Sequence, residues 1–397
     1  MPDAIVIEFP RTVPEEMRKD VRAKLFYAHP LVAAVEIAPD GSAATFRLRV
    51  PAATPPELLG ENARKIVADM VSGFIPIRHK VYFDQRQVTP RHAGDISREL
   101  LEGGHIFQLG QGQYGFGPLF SRLMRVFDGM FRAFGAAQGA AEHAFPTLIP
   151  VETLHRCDYF TSFPHAVSFV HHLPESIADI ERFMASSTGK DLAHLDFATA
   201  RVENVLSPAV CYHVYHALEG VRLGRDEAGR TFLCKGKCFR YEAGNMTSPE
   251  RMWDFSMREI VFVGSRDFVA AGREASLAWL TDLLARLGLK CSIETATDPF
   301  FAGDAMKKKL FQKSLQLKLE ILVDIPCDGH ALAVGSQNIH QSFFGNAFHI
   351  TQENGEPVHT GCTAFGVERF VLAFLAQYGL DDRHWPECVR APYTAAT

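Results

Sequence analysis

Residues 238–264, CFRYEAGNMTSPERMWDFSMREIVFVG, hold four side chains suited to phosphates and flat rings. Arg240 offers a planar fork of N–H donors that meets phosphate oxygens two at a time. Glu242 is a carboxylate acceptor, Phe255 an aromatic platform, and Glu259 a second carboxylate four residues further on. On a strand, residues two or four apart share a face, so 240 goes with 242 and 255 with 259. The alternation around 239–242 and 260–263 predicts two antiparallel strands. Gly244, Asn245, Thr247, Ser248 and Pro249 predict a long loop between them. Such a pair of strands builds a nucleotide site, or is an ordinary hairpin with a surface Arg–Glu pair.

The 397 residues are 47% apolar and 22% charged, the balance of a folded protein with a substantial core. A formal charge of −5 argues against a surface that coats nucleic acid generally. No apolar run is long enough to span a bilayer, and the opening MPDAIVIEFPRTVPEE lacks a signal-peptide pattern. The expected setting is cytoplasmic, with no membrane partner. The eight cysteines are scattered, so they are free thiols or metal ligands rather than a disulfide framework.

Residues 1–86 read as a small α/β module: strand 4–9, helix 14–28, a hairpin over 32–50 turning at Pro39-Asp40-Gly41, helix 55–72 and strand 79–83. That order suggests a ferredoxin-like fold. Residues 87–117 read as a flexible linker. Its glycines at 110, 112 and 115 imitate a dinucleotide loop but lack a surrounding βαβ unit. Residues 118–397 form the large domain. Leu123, Val126, Phe127, Met130 and Phe134 give helical periodicity over 120–141, and a short strand over 145–150 ends at proline. Residues 158–172 are rich in aromatics and histidines, whose mixed spacing fits packed or surface histidines better than a metal site. A helix begins near Cys211, and another covers 274–287 and stops at Gly288. Lys307, Lys308, Lys309, Lys313 and Lys318 form the strongest basic cluster. Strands over 319–325 and 331–344 follow, then a glycine-marked turn into an apolar helix bearing Arg369.

The F-R-x-E strand and the R-x-x-x-F return from Arg251 to Phe255 resemble motif 2 of the class II aminoacyl-tRNA synthetases. The helix, strand and Pro150 resemble motif 1, and the run around Gly366 and Arg369 resembles motif 3. The resemblance implies an α+β fold, an antiparallel sheet flanked by helices, and a homodimer built through motif 1. It also implies roles: Arg240 on the α-phosphate of ATP, Glu242 orienting the nucleotide or substrate amine, Phe255 stacked on adenine, and Arg369 on the γ-phosphate. Ser336 and Asn338 belong to the same nucleotide-binding set.

Cys211, Glu259 and Cys362, with SFPH, CFRYE, MREIVFVG, SQNIHQSFFG and HTGC-x-x-FGVER, resemble the zinc-dependent seryl-tRNA synthetases of methanogens. They resemble still more closely their bacterial relatives, the amino acid:[carrier protein] ligases. In that core the three positions converge, implying one zinc per subunit with an open fourth position for a substrate amine. Cys234 and Cys238 read as strand cysteines near the core. The implied reaction loads glycine or alanine, through an adenylate formed with ATP and Mg²⁺, onto the phosphopantetheine thiol of a carrier protein. The lysine cluster could steer an acidic carrier. No tRNA is expected, because the first 86 residues lack a basic surface. One departure stands out: where an acid often holds Mg²⁺, this chain has Ala331, Leu332 and Ala333, leaving Glu320 or Asp324 as substitutes. The rival readings are a tRNA-charging enzyme and a non-catalytic binding protein on the same core.

Overall fold

Alternation of apolar and polar residues produces sixteen strands among the described residues. The computed structural model describes residues 4–49, 57–72, 79–187, 201–298, 312 and 315–395. In chain order the strands are β1 (Ile5–Glu8), β2 (Val32–Ile37), β3 (Ala43–Leu48), β4 (Val81–Asp84), β5 (Ile106–Gly110), β6 (Gln113–Phe116), β7 (Ala141–Ala144) and β8 (Leu148–Pro150). Then come β9 (Phe169–Val170), β10 (Asn204–Leu206), β11 (Gly229–Phe239), β12 (Asp254–Gly264), β13 (Cys291–Thr295), β14 (Lys318–Ile325), β15 (His330–Gln341) and β16 (His359–Gly366).

The N-terminal sheet has the order β1-β3-β2, with its own core of Val21, Leu25, Val35, Phe46, Leu59 and Val67 beneath the helices Arg18–Leu25 and Leu59–Val71. Here the ferredoxin-like expectation needs correcting. Its last strand, β4, pairs with β13 in the large sheet, placing Phe83 opposite Ile293. Tyr82 and Phe83 pack against the large core from this edge position. The expected flexible linker is also ordered. It contains the helix Ile96–Glu102 and the β5–β6 hairpin, which turns at Gly112 with a left-handed φ of 68°.

The large sheet runs β4-β13-β14-β15-β16-β12-β11-β7, antiparallel except for the β11–β7 edge. Period-2 alternation divides its side chains between two layers. On β12, Ile260 and Phe262 join a core made with the helices Pro118–Ala137, Arg266–Leu287 and Val367–Tyr378. Phe131 stacks on Phe365 there, ring centroids 4.0 Å apart. Met257, Val261 and Val263 face the opposite way, toward the helix Cys211–Ala217. Arg258, 3% exposed, is neutralised on the helix side by Asp128 at 2.8 Å and Glu142 at 2.8 Å. The helix expected over 274–287 starts earlier, at Arg266, because the Ser265 hydroxyl caps it by accepting from the Phe268 N–H. It ends at Gly288 in the left-handed region, as expected. Among the described residues no helix is long and apolar enough to cross a membrane.

Candidate active site

The face of the large sheet away from its three long helices floors a cavity of about 660 Å³. Cross-strand register sets its order. Asn338 on β15, Cys362 on β16 and Val261 on β12 are direct partners, and in the next row so are Ser336, Ala364 and Glu259. Partners across a ladder share a face, so three distant segments meet here by sheet geometry alone. The helix Cys211–Ala217 then brings its first residue over that floor.

Cys211, Glu259 and Cys362 are all buried, with ligand atoms within 4.8 Å of one another. Glu259 Oε1 accepts the Val210 N–H at 2.8 Å and the Cys211 N–H at 3.3 Å, so the start of the helix fixes the carboxylate. Asn338 Nδ2 donates to Cys362 Sγ at 3.6 Å. The Cys211 thiol is hydrogen-bonded to Cys362, which raises the Cys211 pKa and lowers that of Cys362. Burial, then the nearby Cys362, pushes Glu259 up to about 7. Three acidic groups crowded out of water repel one another once ionised, and a divalent cation relieves that repulsion. Two sulfurs and one oxygen, oriented by backbone donors, suit zinc.

The loop side of the cavity differs from expectation in one respect. Strand β11 ends at Phe239, so Arg240 and Glu242 lie just beyond it, although the Arg240 N–H still bonds the Trp253 carbonyl at 2.9 Å. Both residues line the cavity. Arg240 Nε donates to the Pro208 carbonyl at 3.0 Å, and its guanidinium lies over the Phe255 ring at 5.4 Å. Glu242 forms an ion pair with Arg251. Burial disfavours its charge, but Arg251, Arg369 and Arg240 outweigh that and hold the carboxyl below its ordinary range. Phe255 and Arg369 stand outside the cavity wall. Arg369 Nε donates to the Glu250 carbonyl at 2.6 Å. Its neighbour Glu368 accepts the Ser256 N–H at 2.8 Å, tying this helix start to the residue after Phe255.

Neither substitute for the missing acid is free. Glu320, in register with Ser336, sits 3.0 Å from Lys318, and Asp324 pairs with Lys290 at 2.9 Å. Lys318 is no surface lysine: it is buried in the cavity wall and also meets Asp298 at 2.7 Å. Lys307, Lys308, Lys309 and Lys313 lie outside the described residues. The histidines of 158–172 do not cluster. His165 is half-buried and lines the cavity, while His171 and His172 are exposed. Cys234 and Cys238 are buried strand residues, as expected.

The sequence reading missed Tyr27, His165, Asp298 and Lys318 as cavity residues. Only Lys318 left a trace, in its alternation with Glu320.

No protein-family model matches the chain. It is 34% identical over 248 residues to amino acid–[acyl-carrier-protein] ligase 1 of Bradyrhizobium diazoefficiens, covering 62% of this chain and 74% of that protein. Ligase 2 of the same organism is 34% identical over 250 residues, 72% of its length. A type-2 serine–tRNA ligase of Methanocaldococcus jannaschii is 27% identical over 289 residues, 71% of this chain and 56% of that one. Among solved structures, M. kandleri SerRS in complex with A. aeolicus tRNASec superposes with a TM-score of 0.73 at 20% identity, covering 99% of this chain and 77% of that one. Cytoplasmic serine–tRNA ligase from Naegleria fowleri in complex with AMP gives 0.60 at 14% identity, covering 85% and 70%. The fold is that of the class II synthetases.

Proposed function

The chain belongs to the family of amino acid–[acyl-carrier-protein] ligases, and from that membership we propose that it activates glycine or alanine with ATP and passes the aminoacyl group to the phosphopantetheine thiol of a carrier protein. The observation that carries this reading is the meeting of Cys211, Glu259 and Cys362 within 4.8 Å in the cavity that Arg240 and Glu242 also line. An amine-binding end and a phosphate-binding end then face one space.

In the first step a carboxylate oxygen of the amino acid attacks the α-phosphorus of ATP, and pyrophosphate leaves. Arg240 stabilises the charge on the α-phosphate, Arg369 reaches the γ-phosphate, and Glu242 orients the nucleotide. The adenine ring stacks on Phe255. Because Arg240 now lies over that ring, nucleotide entry has to displace the guanidinium, which frees its fork for phosphate. Ser336 and Asn338 contact the bound substrates. In the second step the phosphopantetheine sulfur attacks the adenylate carbonyl, AMP leaves with the C–O electron pair, and the thiol proton passes to solvent. Positioning of an already activated ester supplies most of what this step needs.

Cys211, Glu259 and Cys362 are the residues that would hold zinc, which when bound would hold a neutral α-amino group at its fourth position and so favour amino acids over other carboxylic acids. Magnesium would come with ATP, because the chain places no acid at 331–333 and Glu320 is already paired with Lys318. The helix Pro118–Ala137 and strand β8, ending at Pro150, are the proposed homodimer face. Residues 118–397 serve as the catalytic domain.

Amino-acid-dependent exchange of pyrophosphate into ATP, surveyed with glycine, alanine and serine, tests this reading. Exchange with glycine or alanine, followed by labelling of a phosphopantetheinylated carrier, is the expected result. Exchange with none of the three by folded protein overturns it and leaves the binding-protein reading. The superposition over 99% of the chain on a tRNA-bound synthetase favours tRNA as the second candidate acceptor. Serine exchange with charging of tRNA instead of a carrier would select it.

A further inference from the structure

The N-terminal module lies outside the segment that carries the synthetase motifs, yet four of its residues, Asp20, Ala23, Lys24 and Tyr27, line the cavity. Two of its contacts fall on the loop between β11 and β12. Asn245 Nδ2 donates to the Ala23 carbonyl at 3.2 Å. Gly244 fits against Phe26 so closely that an added Cβ would lie 2.3 Å from the ring edge. Tyr27 meets the His165 ring edge-on, centroids 5.3 Å apart. Burial first, and then the nearby Glu242 carboxylate, raises the Tyr27 phenol pKa.

The same loop is also held by the β5–β6 hairpin. Gln111 Nε2 donates to the Ala243 carbonyl at 3.1 Å, and the Gly112 carbonyl accepts the Trp253 N–H at 2.8 Å. Glu242 immediately precedes the held residues 243–245, and Arg251 lies between them and Trp253. A loop that carries charged ligand-binding groups loses affinity when its conformations multiply, because binding must then order it. The hairpin holds Ala243 and Trp253, and the module adds contacts at Gly244 and Asn245.

We propose that the N-terminal module is a working wall of the nucleotide site, in which Phe26 and the backbone at Ala23, with Tyr27 packed on His165 beside them, are positioning elements that hold the 240–253 loop ready for ATP. The assignment rests on the ATP-dependent ligase reading and gives residues 1–86 a part in the first half-reaction.

The test uses the full chain and three variants, Tyr27→Ala, Asn245→Ala and Gly244→Ala. Tyr27→Phe preserves the ring contact, and Arg47→Ala alters an exposed ion pair elsewhere on the module. Pyrophosphate exchange gives KM for ATP and for the amino acid separately. For Tyr27→Ala and Gly244→Ala we expect KM for ATP to rise about tenfold, with KM for the amino acid within about twofold. Asn245→Ala should show a smaller rise, and Tyr27→Phe and Arg47→Ala should match wild type. An unchanged KM for ATP in both strong variants, or equal rises for both substrates, overturns the proposal. Absence of wild-type exchange defeats the ligase reading instead. Hydrogen exchange of the 241–252 amides with and without ATP then decides this proposal alone: ATP-induced protection in wild type that is lost in Tyr27→Ala supports it, and equal protection overturns it.

Discussion

The two ends of the cavity are built in opposite ways. At the thiol end, Cys211, Glu259 and Cys362 are 6%, 1% and 4% exposed, two of them on central strands and the third at a helix start. Their orientation is fixed by backbone donors and strand register. At the nucleotide end, the Glu242 and Arg251 side chains are 24% and 36% exposed and stand on a loop that two outside elements must steady. Its arginines hold backbone carbonyls and an aromatic ring. On the proposed function, a substrate amine would meet a finished site, whereas ATP would complete its own.

If that contrast is right, damage at the rigid end is total and damage at the loop end is graded. Cys362→Ser should lose the bound metal, read by elemental analysis, and reduce exchange on the order of a thousandfold. Chelation of wild-type protein should do the same, and re-added zinc should restore it. Arg240→Ala should reduce exchange about a hundredfold or more while zinc content stays at wild type. Glu242→Gln weakens the ion pair with Arg251 and should raise KM for ATP about tenfold, leaving KM for the amino acid unchanged. A metal-free Arg240→Ala protein, or a fully active Cys362→Ser protein, would erase the distinction.

The smallest effect concerns pH. Burial, then Lys24, lowers His165 to about 4, and burial likewise lowers His213 to about 4. Between about 4 and the ordinary value of 6.5 the unfolded chain binds the extra protons, so stability falls as pH falls through that window. Thermal melting of His165→Gln should show a shallower decline over the same range. An unchanged slope would mean that His165 charges freely beside Tyr27.

At the thiol end, the strand that carries Glu259 was legible in the sequence because strands announce themselves. Period-2 alternation placed Phe255 and Glu259 on one face, and a single ladder then carried Glu259 to Cys362. The cysteines were recognisable as partners only through the family resemblance, since 211 and 362 carry no local spacing signal. The module's place in the wall was not legible, because an Ala23 carbonyl and a Gly244 without a side chain leave no chemical mark in a sequence. Strand β4 was assigned to the wrong sheet for a related reason. Its short run, Val81–Asp84, predicts a strand but not a partner, and the choice lay with the aromatic cover offered to Tyr82 and Phe83. The sequence groups Lys318 with a basic cluster, whereas the folded chain buries it against Asp298, twenty residues earlier.

Arg258 and Glu259 are neighbours on β12 that point to opposite layers, one charge bound for Asp128 and Glu142, the other for two thiols. A slip of this strand by one residue would put a permanent cation between the cysteines and an acid against Asp128 and Glu142. The acid would then confront two carboxylates of its own sign on the helix side, and those carboxylates would lose their cation. Mispaired chains are therefore penalised electrostatically before any substrate is present, and the pair acts as a proofreader of the strand alignment on which the site depends.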